Sequence, residues 1–261
     1  MDMEGSWARA AGEKQWIYDD VGSGEPILFI HGLGCLRSAW APQYELMNGY
    51  RLICPALRGH DESPVIENIS LAAFARDIIE LMDKLGIENA HICGLSLGGL
   101  VAQEMYRMAP ERVKSLILVN TFAYIPRPVA EASLWRCYWK LGVMTTKVYI
   151  EQVINECLFN LFNPDLRKQL RSAFYIRRET YMPSAKAGAY ADFRDLLPEI
   201  KVPVLLIGGS HDRVTPPVLQ TSMYRKIPCA EIEILPRTGH MSNIENAKDF
   251  NRKVRWFLER K

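Results

Sequence analysis

Gly94-Leu95-Ser96-Leu97-Gly98 sets a serine between two glycines, a setting in which a hydroxyl can be presented as a nucleophile. A serine hydroxyl is weakly nucleophilic at neutral pH. It needs a base within hydrogen-bond reach and a third group that holds that base in one tautomer. Of the five histidines, His240 in Thr238-Gly239-His240 is the best base, and Asp212, after Gly208-Gly209, the best acid. Serine, then acid, then histidine is one of the orders in which such triads occur along a chain. Taken alone, the Gly/Ser run reads as a simple turn, and Asp212 as a carboxylate capping the turn before Thr215-Pro216-Pro217. What favours chemistry is context: a strand pattern precedes Ser96, a helix pattern follows it, and both partners lie downstream.

Acyl transfer also needs two donors for the oxygen that becomes negative. The N–H of Leu97, next to the nucleophile and at a helix start, is one. The second is the N–H of Leu33 in His31-Gly32-Leu33-Gly34, whose glycines let the backbone bend toward the site. The work falls to the backbone, so the leucine side chains are incidental. His31 is read as a structural hydrogen-bonding residue, and His60, His91 and His211 as structural or surface residues. Asn120 ends a strand but carries no carboxylate, which removes one alternative location for the acid. With no His-Glu-x-x-His, no clustered Cys and His, and no Gly-x-Gly-x-x-Gly turn, neither a metal nor a cofactor is expected.

The elements that must position these groups follow an α/β pattern. Short apolar runs at Ile27 to Ile30, Arg51 to Cys54, Ala90 to Cys93 and Val113 to Val119 read as strands covered on both faces, with an earlier edge strand over Gln15 to Tyr18. Ser70 caps a helix whose apolar stripe runs through Leu71, Phe74, Ile78, Leu81 and Leu85 to Gly86. A second helix starts at Leu97 and stops before Pro110. Strands return at Val202 to Ile207 and Glu231 to Leu235, and a helix bearing Phe250, Val254, Phe257 and Leu258 closes the core. The division expected is a core over 1–121, a helical cap over 122–196 and the rest of the core over 197–261.

Composition sets outer limits. At 261 residues, with 48% apolar and 24% charged residues and a net charge of +2, the chain has an ordinary globular balance. Its basic residues are spread among nearly as many acids, so no nucleic-acid partner is expected. Met1 to Ala10 lacks the apolar core of a signal peptide, and no run approaches the ~20 apolar residues that span a bilayer. The expectation is a cytoplasmic monomer or homodimer with a small-molecule ester or lactone substrate and no membrane partner. Six cysteines without Cys-x-x-Cys spacing read as buried free thiols.

The sequence resembles the α/β-hydrolase superfamily, in the branch of enol-lactone hydrolases, carboxylesterases and cofactor-free C–C bond hydrolases. The resemblance rests on His31 to Gly34 with Trp40, Arg58-Gly59-His60, Gly94 to Gly99, Gly209-Ser210-His211-Asp212 with Val214-Thr215-Pro216, and Gly239-His240. Gly239 to Glu245 is particularly similar to 3-oxoadipate enol-lactonases. The resemblance implies a mostly parallel twisted sheet with helices on both faces, an inserted helical cap, and no cofactor. Relatives read Asp-Leu-Arg-Gly-His-Gly where this chain has Ala56-Leu57-Arg58-Gly59-His60-Asp61, so a local rearrangement at a left-handed Asp61 is expected. Serine at 96, in place of aspartate, argues against dehalogenase and epoxide-hydrolase chemistry.

The cap is where residue patterns stop discriminating. Trp135, Tyr138, Trp139, Phe159, Phe162, Phe174 and Tyr175 are either an acyl-pocket lining or, more often at helical spacing, packing between lid helices. Arg127, Arg136, Arg177, Arg178 and Arg194 can meet a substrate carboxylate or simply form a solvated face. Hydrolysis of a carboxylic ester or lactone through an acyl-enzyme leads. C–C bond hydrolysis and acyl transfer on the same triad, and a small-molecule receptor that keeps the pocket, stand as alternatives.

Overall fold

The computed structural model describes residues 16–64 and 67–260. Seven strands, β1 (Tyr18–Gly22), β2 (Glu25–Ile30), β3 (Tyr50–Pro55), β4 (Ala90–Leu95), β5 (Val113–Val119), β6 (Val204–Gly209) and β7 (Ala230–Leu235), form one sheet in the order β1-β3-β2-β4-β5-β6-β7. Only β1 is antiparallel to its neighbour; the others pair parallel, as crossover helices require.

Alternation along the central strands divides the core into two layers. Leu28, Ile53, Ile92, Leu118 and Leu206 face one side, where they meet α1 (Leu71–Lys84) and α2 (Leu97–Met108). Ile27, Phe29, Cys93, Ile117 and Ile207 face the other, against Trp40 and the closing helix α9 (Ala247–Leu258), which buries Phe250, Val254, Phe257 and Leu258. Both layers are buried, which explains the unbroken apolar runs. Helix α1 starts where Ser70 Oγ accepts the Ala73 N–H at 3.1 Å and ends at Gly86, φ +64°.

The edge strand lies three residues beyond its expected place, and Gln15, like Met1 to Ala10, falls outside the described residues. Tyr18–Gly22 is polar and pairs with β3. Its aspartates are held from elsewhere, Asp19 by Arg37 and Asp20 by Arg51. Asp61 is left-handed (φ +52°) as expected, and its carboxylate takes the Arg37 guanidinium at 2.7 Å, so the turn is rebuilt around an ion pair. Four cysteines are buried free thiols, but Cys137 is half-buried and Cys229 exposed. Among the described residues no helix is long and apolar enough to cross a membrane.

Between β5 and β6 the chain forms α3 (Arg127–Val143), α4 (Thr146–Cys157), α5 (Pro164–Ala173) and α6 (Arg178–Ala189). These helices cover the carboxyl ends of the strands. Neither expected role fits most of their aromatics: Trp135, Tyr138, Trp139, Phe162 and Tyr175 face solvent. The reason is phase, because α3 buries only Ala130 and Leu141.

Candidate active site

Ser96 sits between β4 and α2 with φ +53° and ψ −115°, a strained conformation for a residue with a Cβ. The turn is possible only because its flanks lack side chains. A Cβ on Gly94 would lie 2.2 Å from Gly98 O, and one on Gly98 would lie 2.1 Å from Ile30 O. Ser96 N–H donates to Val119 O at 2.9 Å, and the Thr121 hydroxyl donates to Ser96 O at 2.8 Å, so neighbouring β5 fixes the turn. Strain of this kind persists only where the surroundings over-determine it.

Asp212 follows β6 and is almost wholly buried. Its Oδ1 accepts the N–H groups of Val214 (2.8 Å) and Thr215 (2.9 Å). Its Oδ2 accepts from Thr215 Oγ1 (2.7 Å), Asn120 Nδ2 (2.8 Å) and His240 Nδ1 (2.9 Å). Burial alone would raise the carboxyl's pKa. The charge and hydrogen bond of His240, with the Thr215 amide and Asn120, outweigh it and bring the value down to about 2. An ionised carboxylate only accepts, so His240 Nδ1 donates to it, and in the neutral imidazole the lone pair then sits on Nε2. That is the tautomer a general base requires.

Asn120 carries no carboxylate and cannot be the acid, yet it belongs to the site. In the structure it is wholly buried, donates to Asp212 and accepts the Ser242 hydroxyl. Its position at the end of β5, beside the strand that ends before Asp212, was the available signal. Glu245 was also missed as a contributor. Its carboxylate accepts Gly239 N–H at 2.6 Å and Asn160 N–H at 2.7 Å, while His240 N–H donates to Cys157 O at 2.7 Å. The histidine loop is thereby fastened to the end of α4.

The loop after β2 packs against the serine turn. His31, buried and with its pKa lowered by burial, is a structural brace: Nδ1 bonds Gly32 O at 2.9 Å and Nε2 accepts Leu57 N–H at 3.1 Å. It holds the loop against the serine turn, where a Cβ on Gly32 would be 3.5 Å from Ser96 Cβ. Neither Leu33 N–H nor Leu97 N–H donates within the described protein. Two free amides beside a serine suit a developing oxyanion. Ser96 and His240 line one cavity, and no hydrogen bond joins their side chains; such contacts commonly tighten when substrate binds.

Comparison with known proteins decides the family. The model described as "Alpha/beta hydrolase family" matches residues 27–253. The chain belongs to the alpha/beta hydrolase family. Among curated relatives of this hydrolase, 3-oxoadipate enol-lactonase 1 of Acinetobacter baylyi is 31% identical over 226 residues, covering 86% of this chain and 85% of the relative. A 2-hydroxy-6-oxononadienedioate/2-hydroxy-6-oxononatrienedioate hydrolase from a Pseudomonas species is 29% identical over 262 residues, covering 93% and 91%. The structure of a thermophilic esterase from Thermogutta terrifontis aligns with a TM-score of 0.86 at 28% identity, covering 97% and 96%. The enzyme is an α/β-fold hydrolase whose relatives include ester and lactone hydrolases.

The hydrolase's cavity has a volume of about 260 Å³ and reaches from Ser96, Leu97, Leu33 and His240 up to the cap. Tyr149, Tyr181 and Phe174 supply aromatic walls. Of the five cap arginines singled out from the sequence, four are engaged elsewhere. Arg127 pairs with Glu131, Arg194 with Asp192, Arg177 donates to the carbonyls of Asp61 and Ser63, and Arg178 to those of Leu141 and Met144. Arg136 alone of the five lines the cavity, 3.9 Å from Glu156, whose other oxygen is held by Lys140 at 2.7 Å.

The lowered Asp212 value makes the fold sensitive to acid. A carboxyl whose folded pKa lies below its unfolded value stabilises the native state above the unfolded value, here 3.8, and loses that contribution as pH falls through about 2. The shift corresponds to roughly 2 kcal/mol. Urea midpoints of the wild type should therefore fall between pH 3.8 and about 2 more steeply than those of Asp212→Asn. Parallel curves for the two proteins would contradict the assignment.

Proposed function

We propose that this hydrolase cleaves a small carboxylic ester or lactone bearing a second, remote carboxylate, through an acyl-enzyme on Ser96. Ser96 Oγ attacks the carbonyl carbon as His240 Nε2 takes its proton, and the N–H groups of Leu33 and Leu97 hold the oxygen that becomes negative. His240 then gives the proton to the leaving oxygen, and water attacks the acyl-enzyme by the same route in reverse. The observation that carries this reading is the Asp212–His240 pair, held at 2.9 Å by a fully satisfied carboxylate and opening on the cavity that holds Ser96.

Substrate size and charge follow from the cavity. A volume of about 260 Å³ lies below the ~300 to 1,000 Å³ of pockets for drug-sized ligands. Arg136 and Glu156 line the cavity, and Lys140, off the wall, holds the other Glu156 oxygen, so the three sum to one positive charge beside it; the loose Arg136–Glu156 contact leaves the guanidinium available to a carboxylate. Both curated relatives carry dicarboxylate names, an adipate and a nonadienedioate. Those names also keep C–C bond hydrolysis as a second reading on the same residues. Six cysteines, none in a disulfide, support action in the cytoplasm.

The test is a panel of neutral esters, carboxylate-bearing esters, enol-lactones and dienone acids, with wild type and Arg136→Ala. Carboxylate-bearing esters or lactones should be turned over many times without a partner protein. Arg136→Ala should raise their KM about tenfold, as for loss of a charge-assisted hydrogen bond, with neutral esters unchanged. Equal effects on both classes would remove Arg136 from recognition. A single slow turnover that recruits another protein would favour a receptor.

A further inference from the structure

Helix α6 crosses the cavity with small residues inward, since Ser184, Ala185, Gly188 and Ala189 all line it. Its two ends are located by close contacts. A Cβ on Gly34, in the loop that carries the Leu33 amide, would lie 2.8 Å from Tyr181 Cε2. A Cβ on Gly188 would lie 3.3 Å from the side chains of both Leu97 and Leu100. Positions 181, 184 and 188 share one helix face, so Ser184 sits between the two segments that supply the free amides.

Ser184 is wholly buried, and its hydroxyl has no hydrogen-bond partner. A helical serine normally relieves that cost by bonding the carbonyl four residues back. Ser184 does not, whereas Thr180 in the preceding turn sends its hydroxyl to Gly59 O. A buried hydroxyl left unsatisfied is rare and calls for a partner, and on the wall of a cavity a bound ligand can supply one.

We infer that Ser184 Oγ recognises a hydrogen-bonding oxygen, a carbonyl or hydroxyl, on the acyl part of the substrate. This deepens the ester or lactone reading and rests on it. The acyl side is indicated because the leaving oxygen must receive a proton from His240, whose loop is fastened to the end of α4 and not to α6. Helix α6 lies over the oxyanion amides, next to the carbon chain that stays on Ser96. Gly188 and the two alanines give that chain room, and Ser184 supplies its polar contact.

Matched p-nitrophenyl esters test this, pentanoate against 4-oxopentanoate and butanoate against 3-hydroxybutanoate, with wild type, Ser184→Ala and Ser96→Ala. Wild type should favour an oxygenated ester about tenfold in kcat/KM, the equivalent of one neutral hydrogen bond. Ser184→Ala should bring that ratio to about one, leave the plain ester within about twofold, and not lower the Tm, because no internal bond is lost. An unchanged ratio, an equal loss on both esters, or a lower Tm would overturn the role of Ser184. If Ser96→Ala turned over these esters as wild type does, the acyl-enzyme reading itself would fail. If Ser96→Ala were inactive and the ratio survived in Ser184→Ala, the failure would belong to Ser184 alone.

Discussion

Ser96→Ala is expected to lower kcat about 10⁶-fold on every ester the wild type turns over, while the folded structure persists. The side chain contributes nothing to local bonding. The turn is held by the Ser96 amide on Val119 and by Thr121 on the Ser96 carbonyl, and both survive the change. Alanine also keeps the Cβ, so it meets the same strain at φ +53°. What remains should be the contribution of the two amides and of binding, about 10³ to 10⁴ over water. Steady-state kcat measured beside a thermal unfolding curve separates the cases. A loss below a hundredfold in a folded variant would place the nucleophile elsewhere.

Asp212→Asn should cost about 10⁴ in kcat, for a reason the hydrogen bonds make specific. Oδ1 accepts two backbone N–H groups, so an asparagine must keep its oxygen there and turn its NH₂ toward the former Oδ2 position. That NH₂ meets His240 Nδ1 and Asn120 Nδ2. His240 must then accept at Nδ1 and carry its proton on Nε2, where it cannot take the serine proton, and Asn120 faces a second donor. The variant should therefore be slower and somewhat less stable. A kcat near wild type would mean that the carboxylate does not set the tautomer of His240.

The parts of this design that were legible were those written in local chemistry. Gly94, Ser96 and Gly98 announce a tight turn because a Cβ on Gly94 would come within 2.2 Å of Gly98 O, so only glycine fits there. Central strands such as Val113–Val119 read as buried because both of their faces are covered. What stayed hidden depends on partners far along the chain. The edge strand over Tyr18–Gly22 is held by Arg37 and Arg51, and its two aspartates look like loop residues in isolation. Asn120 becomes meaningful only when the fold brings Asp212, 92 positions further on, to its amide. Glu245 acts through main-chain N–H groups of Asn160 and Gly239, which no side-chain motif reports. The cap resisted for another reason: the same aromatic spacing on α3 suits an inner or an outer face, and there it points Trp135 and Tyr138 outward.

Covalent capture of the nucleophile tests the central claim most directly. Treatment with an organophosphate carrying a p-nitrophenolate leaving group, followed by peptide mass mapping, should place a single phosphoryl adduct on Ser96. The labelling rate should fall steeply in Asp212→Asn and in His240→Gln. An adduct on any other residue, or labelling of Ser96 at an unchanged rate in His240→Gln, would contradict the account.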